Sequence, residues 1–225
     1  MIYSEILKRL KSLGSKKAIE GMARFGIRPK TKVYGVSMAD LRALAKNIKA
    51  NHSLALKLWK SGVHEARILA SIADEVEKVT EKQTDQWIKD FDSWDVCDEV
   101  CMNLFWRTPM AFRKAIEWSK REREFEKRAG FAMMAVLAVK DKNASDAKFK
   151  KFFPLIKKES ADERNFVKKS VNWALRQIGK RNAALNESAI KTAREILKIN
   201  SKGARWIASD AIKELESAAV RKRLV

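Results

Sequence analysis

Residues 165–180 read NFVKKSVNWALRQIGK, and this stretch decides the fold class. Its apolar residues recur three or four positions apart, which is the spacing of one face of an α-helix. They are Val167, Val171, Ala174, Leu175 and Ile178. The same spacing recurs in residues 41–48, 69–76 and 207–215, and runs of β-branched residues alternating with polar ones are absent. The sequence therefore predicts an all-α protein.

The chain is strongly basic throughout. Its 225 residues include 48 Lys and Arg against 28 Asp and Glu, which gives a formal net charge of +20. The excess runs from Lys8 to Arg223 and is not confined to a tail. Such a surface attracts polyanions, and nucleic acid is the leading partner because phosphate contacts release counterions. An anionic membrane surface is the weaker alternative, and no apolar run approaches the roughly 18 residues that span a bilayer.

The predicted helices pair at a regular interval. An apolar inner helix follows a more aromatic outer helix roughly every 30–40 residues, which is typical of HEAT-like repeats. Inner helices are predicted to begin near Glu65, Ser93, Lys127, Asn165 and Lys202, after outer helices at 54–60, 84–91, 111–119, 149–157 and 187–199. The predicted N-caps are Ser37, Thr84, Ser93 and Asn186. We predict one HEAT-like solenoid domain over residues 1–225 with a basic concave face. An irregular helical bundle is the alternative.

The two cysteines and the N-terminus indicate where the protein works. Cys97 and Cys101 lie four residues apart, and adjacent helical turns rarely offer disulfide geometry. We therefore expect two reduced thiols in a core, as in a reducing compartment. Residues 1–5 have no long apolar segment like that of a secretory signal. These features predict a cytoplasmic protein.

The segment Ser93-Trp94-Asp95-Val96-Cys97-Asp98 places a tryptophan and a carboxylate one helical turn apart. Positions i and i+4 share a face, so Trp94 and Asp98 are expected to point the same way. The ordinary alternative is that Trp94 packs in the core while Asp98 pairs with a basic residue or caps a helix. Asp92 and Asp95 lie close by, and like charges raise the pKa of one carboxyl group.

Trp173 lies off the core face of its predicted helix, on a stripe with Lys169, Arg176 and Lys180. Such a stripe offers cations for phosphates and a ring face for a sugar or base. The alternative is that Trp173 packs under the next hairpin and that the three cations form an ordinary solvent-exposed face. Arg128 opens the apolar stretch 129–139, and its planar guanidinium suits a phosphate, although an ordinary solvated charge is the alternative.

Several chemistries are disfavoured by the sequence. His52 and His64 are the only histidines, and neither has the spacing to join the cysteines in a zinc site. The chain contains no Walker loop and no dinucleotide-binding glycine motif. We therefore expect no metal site and no Ser-His-Asp hydrolase.

Residues 91–98 (FDSWDVCD) and 171–182 (VNWALRQIGKRN) resemble the AlkD-like HEAT-repeat DNA glycosylases of the DNA alkylation repair family. The resemblance extends from about Tyr3 to Leu215 and includes residues 34–36 and 41–42. It implies excision of positively charged N3- or N7-alkylated purines, without metal or cofactor. By the same resemblance, Asp98 is the catalytic carboxylate, Trp94 and Trp173 are active-site tryptophans, and Arg128, with Lys127 as its neighbour, is the active-site arginine.

The chemistry that the resemblance implies agrees with these residue types. An alkylated purine is already cationic, so the remaining barrier is the oxocarbenium-like sugar and the placing of water, which a carboxylate assists. Two indole faces would flank the deoxyribose. The cations Arg128, Lys169, Arg176 and Lys180 would hold the DNA backbone. With no aromatic plug evident, we expect the base to stay outside a deep pocket.

The sequence thus predicts a monofunctional, metal-independent alkylpurine DNA glycosylase that acts as a monomer on duplex DNA containing alkylated purines. It is expected in the cytoplasm, associated with the nucleoid. The alternative is a non-catalytic helical-repeat module for damaged, bent or branched DNA. A HEAT scaffold for protein partners is disfavoured by the charge of +20. RNA binding stays open, because a basic surface does not by itself detect a 2′-hydroxyl.

Overall fold

A computed structural model describes residues 1–224, and these residues are all-α. They form helices α1 to α15 with 3-10 turns at Val76–Lys78 and Phe105–Arg107, and they contain no β-strand beyond an isolated bridge between Lys32 and Val63. None of the helices in this range is long and apolar enough to cross a membrane. Cys97 and Cys101 are buried and are not joined in a disulfide. The predictions of an all-α fold and of reduced cysteines are confirmed.

The first compact unit comprises residues Met1–Thr108. Its helices are α1 (Tyr3–Leu13), α2 (Lys16–Arg24), α3 (Met38–Ala45), α4 (His52–Lys60), α5 (His64–Ala73), α6 (Glu81–Lys89) and α7 (Trp94–Asn103). Helix α4 packs on α5, and α5 packs against α7. Helices α1 and α3 also pack against α5, so this inner helix lies at the centre of the unit.

The second compact unit begins at Pro109. Its helices are α8 (Ala111–Trp118), α9 (Glu124–Lys140), α10 (Asp146–Lys150), α11 (Phe153–Glu159), α12 (Asn165–Gly179), α13 (Ala183–Leu197), α14 (Lys202–Leu215) and α15 (Ala218–Leu224). The inner helices α9, α12 and α14 pack in that order, and α8, α11 and α13 pack on them as outer partners. The predicted pairing of outer and inner helices is confirmed for α4 with α5 in the first unit and for α8 with α9, α11 with α12 and α13 with α14 in the second. The single domain over 1–225 stays a prediction.

Polar contacts between neighbouring hairpins reveal the length of the repeat. In the first unit three pairs lie 31 residues apart: Tyr34 with Glu65, Trp59 with Asp90, and His64 with Asp95. In the second unit five pairs lie 38 residues apart: Arg128 with Phe166, Lys157 with Glu195, Glu163 with Ser201, Asn172 with Asp210, and Arg176 with Glu214. Both spacings fall within the predicted interval. The longer one accompanies longer helices, since α12 and α13 have 15 residues and α5 and α7 have 10.

Some predicted helix boundaries are wrong. The outer helix expected at 149–157 is two helices, because Pro154 lies in the first turn of α11, where no backbone N–H is needed. Thr84 and Asn186 are not N-caps. Thr80 and Asn182, one turn earlier, cap α6 and α13 by accepting the N–H groups of Gln83 and Leu185. Ser37 does cap α3, as expected, and accepts the N–H of Asp40.

Gly130 marks a close approach between two helices of the second unit. A Cβ atom at this position of α9 would collide with the backbone nitrogen of Ser119 and lie 2.6 Å from its Cα. Ser119 is the C-cap of α8. Because the atoms that the Cβ would meet belong to the main chain, no side-chain rotation can move them out of the way. The α8–α9 hairpin therefore requires glycine at residue 130.

Candidate active site

Helix α7 places Trp94 and Asp98 on one face, as the sequence predicts. Ser93 is the N-cap in an extended conformation, and the helix begins at Trp94. Both side chains line a cavity of about 310 Å³ in the first unit. Asp98 is buried, with 8% of its surface exposed, and the half-buried Trp94 donates its Nε1–H to the carbonyl oxygen of Phe25 at 3.1 Å.

The lining of this cavity contrasts with the rest of the chain. Its walls come from α2, α3, α5 and α7 and from the segment between α2 and α3. The larger apolar side chains are Met22, Ile27, Val36, Met38, Leu41, Ile68 and Met102. The ionisable ones are His64, Glu65, Asp95, Asp98 and Glu99. Among the described residues, no lysine or arginine lines it. In a chain with a net charge of +20, this cavity is locally acidic.

Two neighbouring carboxylates hold the segment between α2 and α3 in place. Glu65 accepts the backbone N–H of Tyr34 at 3.0 Å and that of Gly35 at 2.6 Å. Asp92 accepts the backbone N–H groups of Lys30 and Thr31 at 2.9 and 3.1 Å. Each carboxylate thus accepts two or more main-chain N–H groups from this segment. Asp92, whose role the sequence left open, is therefore a structural tether.

His64 and Asp95 form a buried pair between α5 and α7. The Nε2 atom of His64 lies 2.8 Å from Oδ2 of Asp95. Burial alone lowers the pKa of His64, but Asp95, Glu65 and Asp92 outweigh it and raise the pKa above its ordinary value. Burial raises the pKa of Asp95, yet His64 outweighs it and lowers that pKa. Both pKa shifts favour the charged form of their group, and the pair joins two inner helices.

The His64–Asp95 pair predicts a pH-dependent contribution to stability. Because the pKa of His64 is raised by folding, its stabilisation is complete below the ordinary histidine pKa and is lost as the pH rises through the raised value. We expect His64→Gln to lower the free energy of unfolding by about 1–3 kcal/mol near pH 6. The loss should be smaller near pH 9. Urea unfolding of both proteins across this range tests it, and a loss independent of pH would contradict it.

Glu99 places a second acid next to Asp98. Burial raises the pKa of Glu99, and the charges of Asp98 and Asp95 raise it further. A hydrogen bond from Asn103 at 3.2 Å and the guanidinium of Arg42, 3.9 Å away, oppose this rise. The cavity therefore holds a carboxyl group that is harder to ionise than an ordinary glutamate. The sequence did not indicate Glu99 as a residue of the site, because no local pattern shows that its side chain is partly buried.

The remaining predicted site residues belong to the second unit. Trp173 is half-buried on α12, one turn after the exposed Lys169 and three residues before Arg176. Lys180 is the C-cap of the same helix. The structure thus brings together Trp94 with Asp98 in the first unit, and Trp173 with these three cations on one helix of the second. Their roles toward DNA stay predictions.

Two of the predicted DNA-binding cations share a carboxylate. Arg176 Nη1 lies 2.6 Å from Oε2 of Glu214, and Lys180 Nζ lies 2.7 Å from Oε1. Arg176 Nε is also 3.5 Å from Asp210. Burial raises the pKa of Glu214, but Lys180 and Arg176 outweigh it and lower the pKa, so Glu214 is ionised. The cationic stripe is therefore partly neutralised by α14, which the sequence of α12 alone does not show.

Arg128 lies deeper than the sequence indicates. Helix α9 begins at Glu124, so Arg128 does not open the helix, and the expected boundary is wrong. The residue is 6% exposed, and its Nη1 donates to the carbonyl oxygen of Phe166 at 2.7 Å. The neighbouring Lys127 is also buried, with Nζ 2.6 Å from Glu159. Arg128 therefore joins α9 to α12, and its phosphate contact stays a prediction.

Comparison with known proteins places this chain in a family. A family model described as "DNA alkylation repair enzyme" matches residues 6–215. The chain belongs to the DNA alkylation repair enzyme family. The resemblance carried by residues 91–98 and 171–182 is thereby confirmed. No curated protein matches the sequence significantly.

A solved structure supports the fold of this family member. It comes from "a new family of proteins related to the HEAT-like repeat DNA glycosylases with affinity for branched DNA structures". The two chains share 22% sequence identity and align with a TM-score of 0.81, over 100% of this chain and 96% of the other. The likeness establishes the HEAT-like helical-repeat fold that the sequence predicts.

Proposed function

We propose that the protein is a DNA glycosylase that hydrolyses the N-glycosidic bond of cationic N3- or N7-alkylated purines in duplex DNA. Asp98 is its catalytic carboxylate. One observation carries the proposal: Asp98 lies beside Trp94 in an acidic cavity of an otherwise basic chain. A buried carboxylate in such a site favours a positively charged reactant, because water screens their attraction less there.

The reaction needs little from the protein beyond this carboxylate. When the bond from C1′ to the purine nitrogen breaks, the bonding electrons stay on the base and cancel its positive charge. The sugar then carries the positive charge, which Asp98 stabilises. Water adds to C1′, and Asp98 accepts the proton that the water loses. No proton donor to the leaving base is required.

Aromatic side chains supply the surroundings of the sugar. Trp94 offers a ring face next to Asp98, and a cation over an indole face is stabilised electrostatically. Trp173 takes the corresponding role in the second unit by family resemblance. Phe25, which sequence reasoning missed, is 75% exposed, and its carbonyl group holds the indole of Trp94. An exposed phenylalanine here provides a stacking surface for a base.

Basic residues hold the DNA without reading its sequence. Lys169 is exposed on α12, and Arg176 and Lys180 follow on the same helix. Contacts to phosphates fix the position of a protein on DNA but carry no base information, which suits selection for a lesion. We propose that the protein acts as a monomer in the cytoplasm, together with chromosomal DNA.

The carboxylate of Glu214 offers a direct test of this cationic stripe. We expect Glu214→Gln to free Arg176 and Lys180 and to tighten binding to duplex DNA about 3- to 10-fold at low salt, with the salt slope steeper by up to about 1. Glu216→Gln is the matched control, because it removes the same charge at the end of α14, where Glu216 pairs with Arg194. Fluorescence anisotropy over a salt series measures both. Equal effects of the two variants would contradict the assignment.

A non-catalytic module for branched or bent DNA is the second candidate, and the affinity described for the similar solved structure favours it. One experiment separates the two. Purified protein is incubated with methylated duplex DNA without added metal, and the released purines are measured. A glycosylase liberates methylated bases at a rate proportional to its concentration. A binding module releases none and prefers a four-way junction to the duplex of the same sequence.

A further inference from the structure

The polar contacts between α12 and α14 follow one register, and one position of that register carries an aromatic ring. Asn172 and Arg176 on α12 each face an acid of α14 that lies 38 residues further along the chain. Lys168, one turn earlier on α12, faces Trp206 through the same offset, with its Nζ atom 5.4 Å from the centroid of the indole ring. Helix α14 therefore presents an indole to Lys168 at a position where the two later contacts each use an acid.

Trp206 is the most exposed tryptophan of the chain. It is 42% exposed, whereas the other six tryptophans are buried or half-buried. A carboxylate in its place would neutralise Lys168, but an indole attracts the lysine without cancelling its charge. Exposed tryptophans are enriched at interfaces, because an indole offers a large and rigid contact surface. Lys168 and Trp206 therefore offer a positive charge and a ring surface side by side.

Gly203 lets the side chain of Lys168 pass close to the first turn of α14. A Cβ atom at Gly203 would lie 3.2 Å from Cδ of Lys168 and 3.1 Å from Oε2 of Glu163. Glu163 is engaged by the same turn, because it accepts the hydroxyl group of Ser201 at 2.6 Å and the backbone N–H of Gly203 at 3.0 Å. This acid therefore caps the start of α14, while the ammonium group of Lys168 lies over the indole of Trp206.

Further cations lie next to this pair on both helices. Lys202 lies one turn before Trp206 on the same face of α14, Arg205 is the immediate neighbour of the ring, and Lys169 follows on α12. All three of these side chains are exposed. Asp210, one turn after Trp206, is already bonded to α12. The surroundings of the ring therefore favour an anionic polymer.

We propose that Trp206 and Lys168 form a stacking site for an unpaired base of single-stranded DNA. The base stacks on the exposed surface of the indole, and the surrounding cations contact the phosphates of the same strand. The bases of an intact duplex are stacked on one another and do not offer their faces, so this site distinguishes unpaired from paired DNA. The site lies in the second unit, and the inference adds a ligand class to the proposed action on duplex DNA without depending on it.

Fluorescence anisotropy with three labelled ligands of equal length tests this site: an oligothymidylate, an abasic strand with the same phosphates, and a duplex. We expect the protein to bind the oligothymidylate about 5- to 30-fold more tightly than the abasic strand. Trp206→Leu removes the ring but keeps an apolar side chain. This variant should lose most of the preference for bases, while its affinities for the abasic strand and the duplex change by less than about twofold.

Leu197→Ala is the matched control, because it removes an apolar side chain from α13 that is also 42% exposed. It should leave the preference for bases unchanged, and circular dichroism establishes that both variants are folded. Equal affinity of the wild type for the oligothymidylate and the abasic strand overturns the stacking site. The site is also overturned if Trp206→Leu keeps the preference or weakens all three ligands alike. Excision is not measured here, so failure of the glycosylase proposal does not affect the outcome.

Lys168→Gln separates the charge of the site from its ring. We expect this variant to weaken both single strands by a similar factor of about 2–5, with a salt slope smaller by up to about 1, because a phosphate contact does not depend on the base. Lys191→Gln removes the same charge from an exposed position of α13 and is the matched control. Equal effects of the two lysine variants would show that Lys168 has no part in the site.

Discussion

Asp98→Asn is expected to lower the release of 3-methyladenine and 7-methylguanine from duplex DNA by a factor of about 10²–10⁴. The amide keeps the size of the side chain but loses the charge that stabilises the sugar cation and the site that accepts a proton from water. Affinity for unmethylated duplex should stay within about twofold, because phosphate contacts supply non-specific binding. Single-turnover excision and anisotropy on the same preparation measure both quantities.

Asp92→Asn is the control for this experiment. It also neutralises a carboxylate near α7, but Asp92 is bonded to the backbone of Lys30 and Thr31. We expect it to reduce thermal stability and to change excision by less than about tenfold. If Asp98→Asn excises at the wild-type rate, Asp98 is not the catalytic carboxylate. If the two variants are equally inactive, the loss of excision is not specific to the charge of Asp98.

Gly130→Ala is expected to destabilise the second unit by about 2–3 kcal/mol, although alanine is the better helix former by about 1 kcal/mol. The added methyl group would collide with the main chain of Ser119, so α8 and α9 must move apart. Thermal unfolding should show a fall in Tm of about 5–10 °C.

Gly21→Ala is the matched control, since Gly21 also lies in a helix but a Cβ there meets nothing within 4 Å. This variant should gain up to about 1 kcal/mol from helix propensity. The two substitutions therefore have opposite expected signs. A stabilised Gly130→Ala would show that α8 and α9 are less closely packed than the structure indicates.

Local patterns were sufficient to predict most of the helices between residues 41 and 215, but not all of their ends. The starts of α7 and α12, at Trp94 and Asn165, could be predicted because apolar residues at helical spacing begin close to them. Helix α13 begins a turn before the expected position, since Asn182 and Asn186 are both good caps and the sequence does not rank them. The break between α10 and α11 coincides with Pro154 in the first turn of α11.

The candidate site was predictable where its residues share a helix. Trp94 and Asp98 are one turn apart, and both line the same cavity. The opposite walls come from α2 and α3, and a long-range carboxylate, Glu65, fixes the segment between them. Likewise, the charge of Arg176 is visible in the sequence, but its partner Glu214 lies 38 residues away. Both the cavity walls and the pairing of Arg176 depend on contacts between repeats. The periodicity of residues within one helix does not show such contacts.

The 38-residue spacing that recurs in five contacts of the second unit indicates where the chain tolerates a change of length. Asn172 and Arg176 on α12 meet Asp210 and Glu214 on α14 through the same offset. One residue inserted between Gly203 and Asp210 would rotate both acids by about 100° and separate both pairs at once. An insertion in the turn at residues 198–200 would leave α14 in phase. We therefore expect natural insertions and deletions, and engineered peptide tags, to be tolerated better in that turn than within α14.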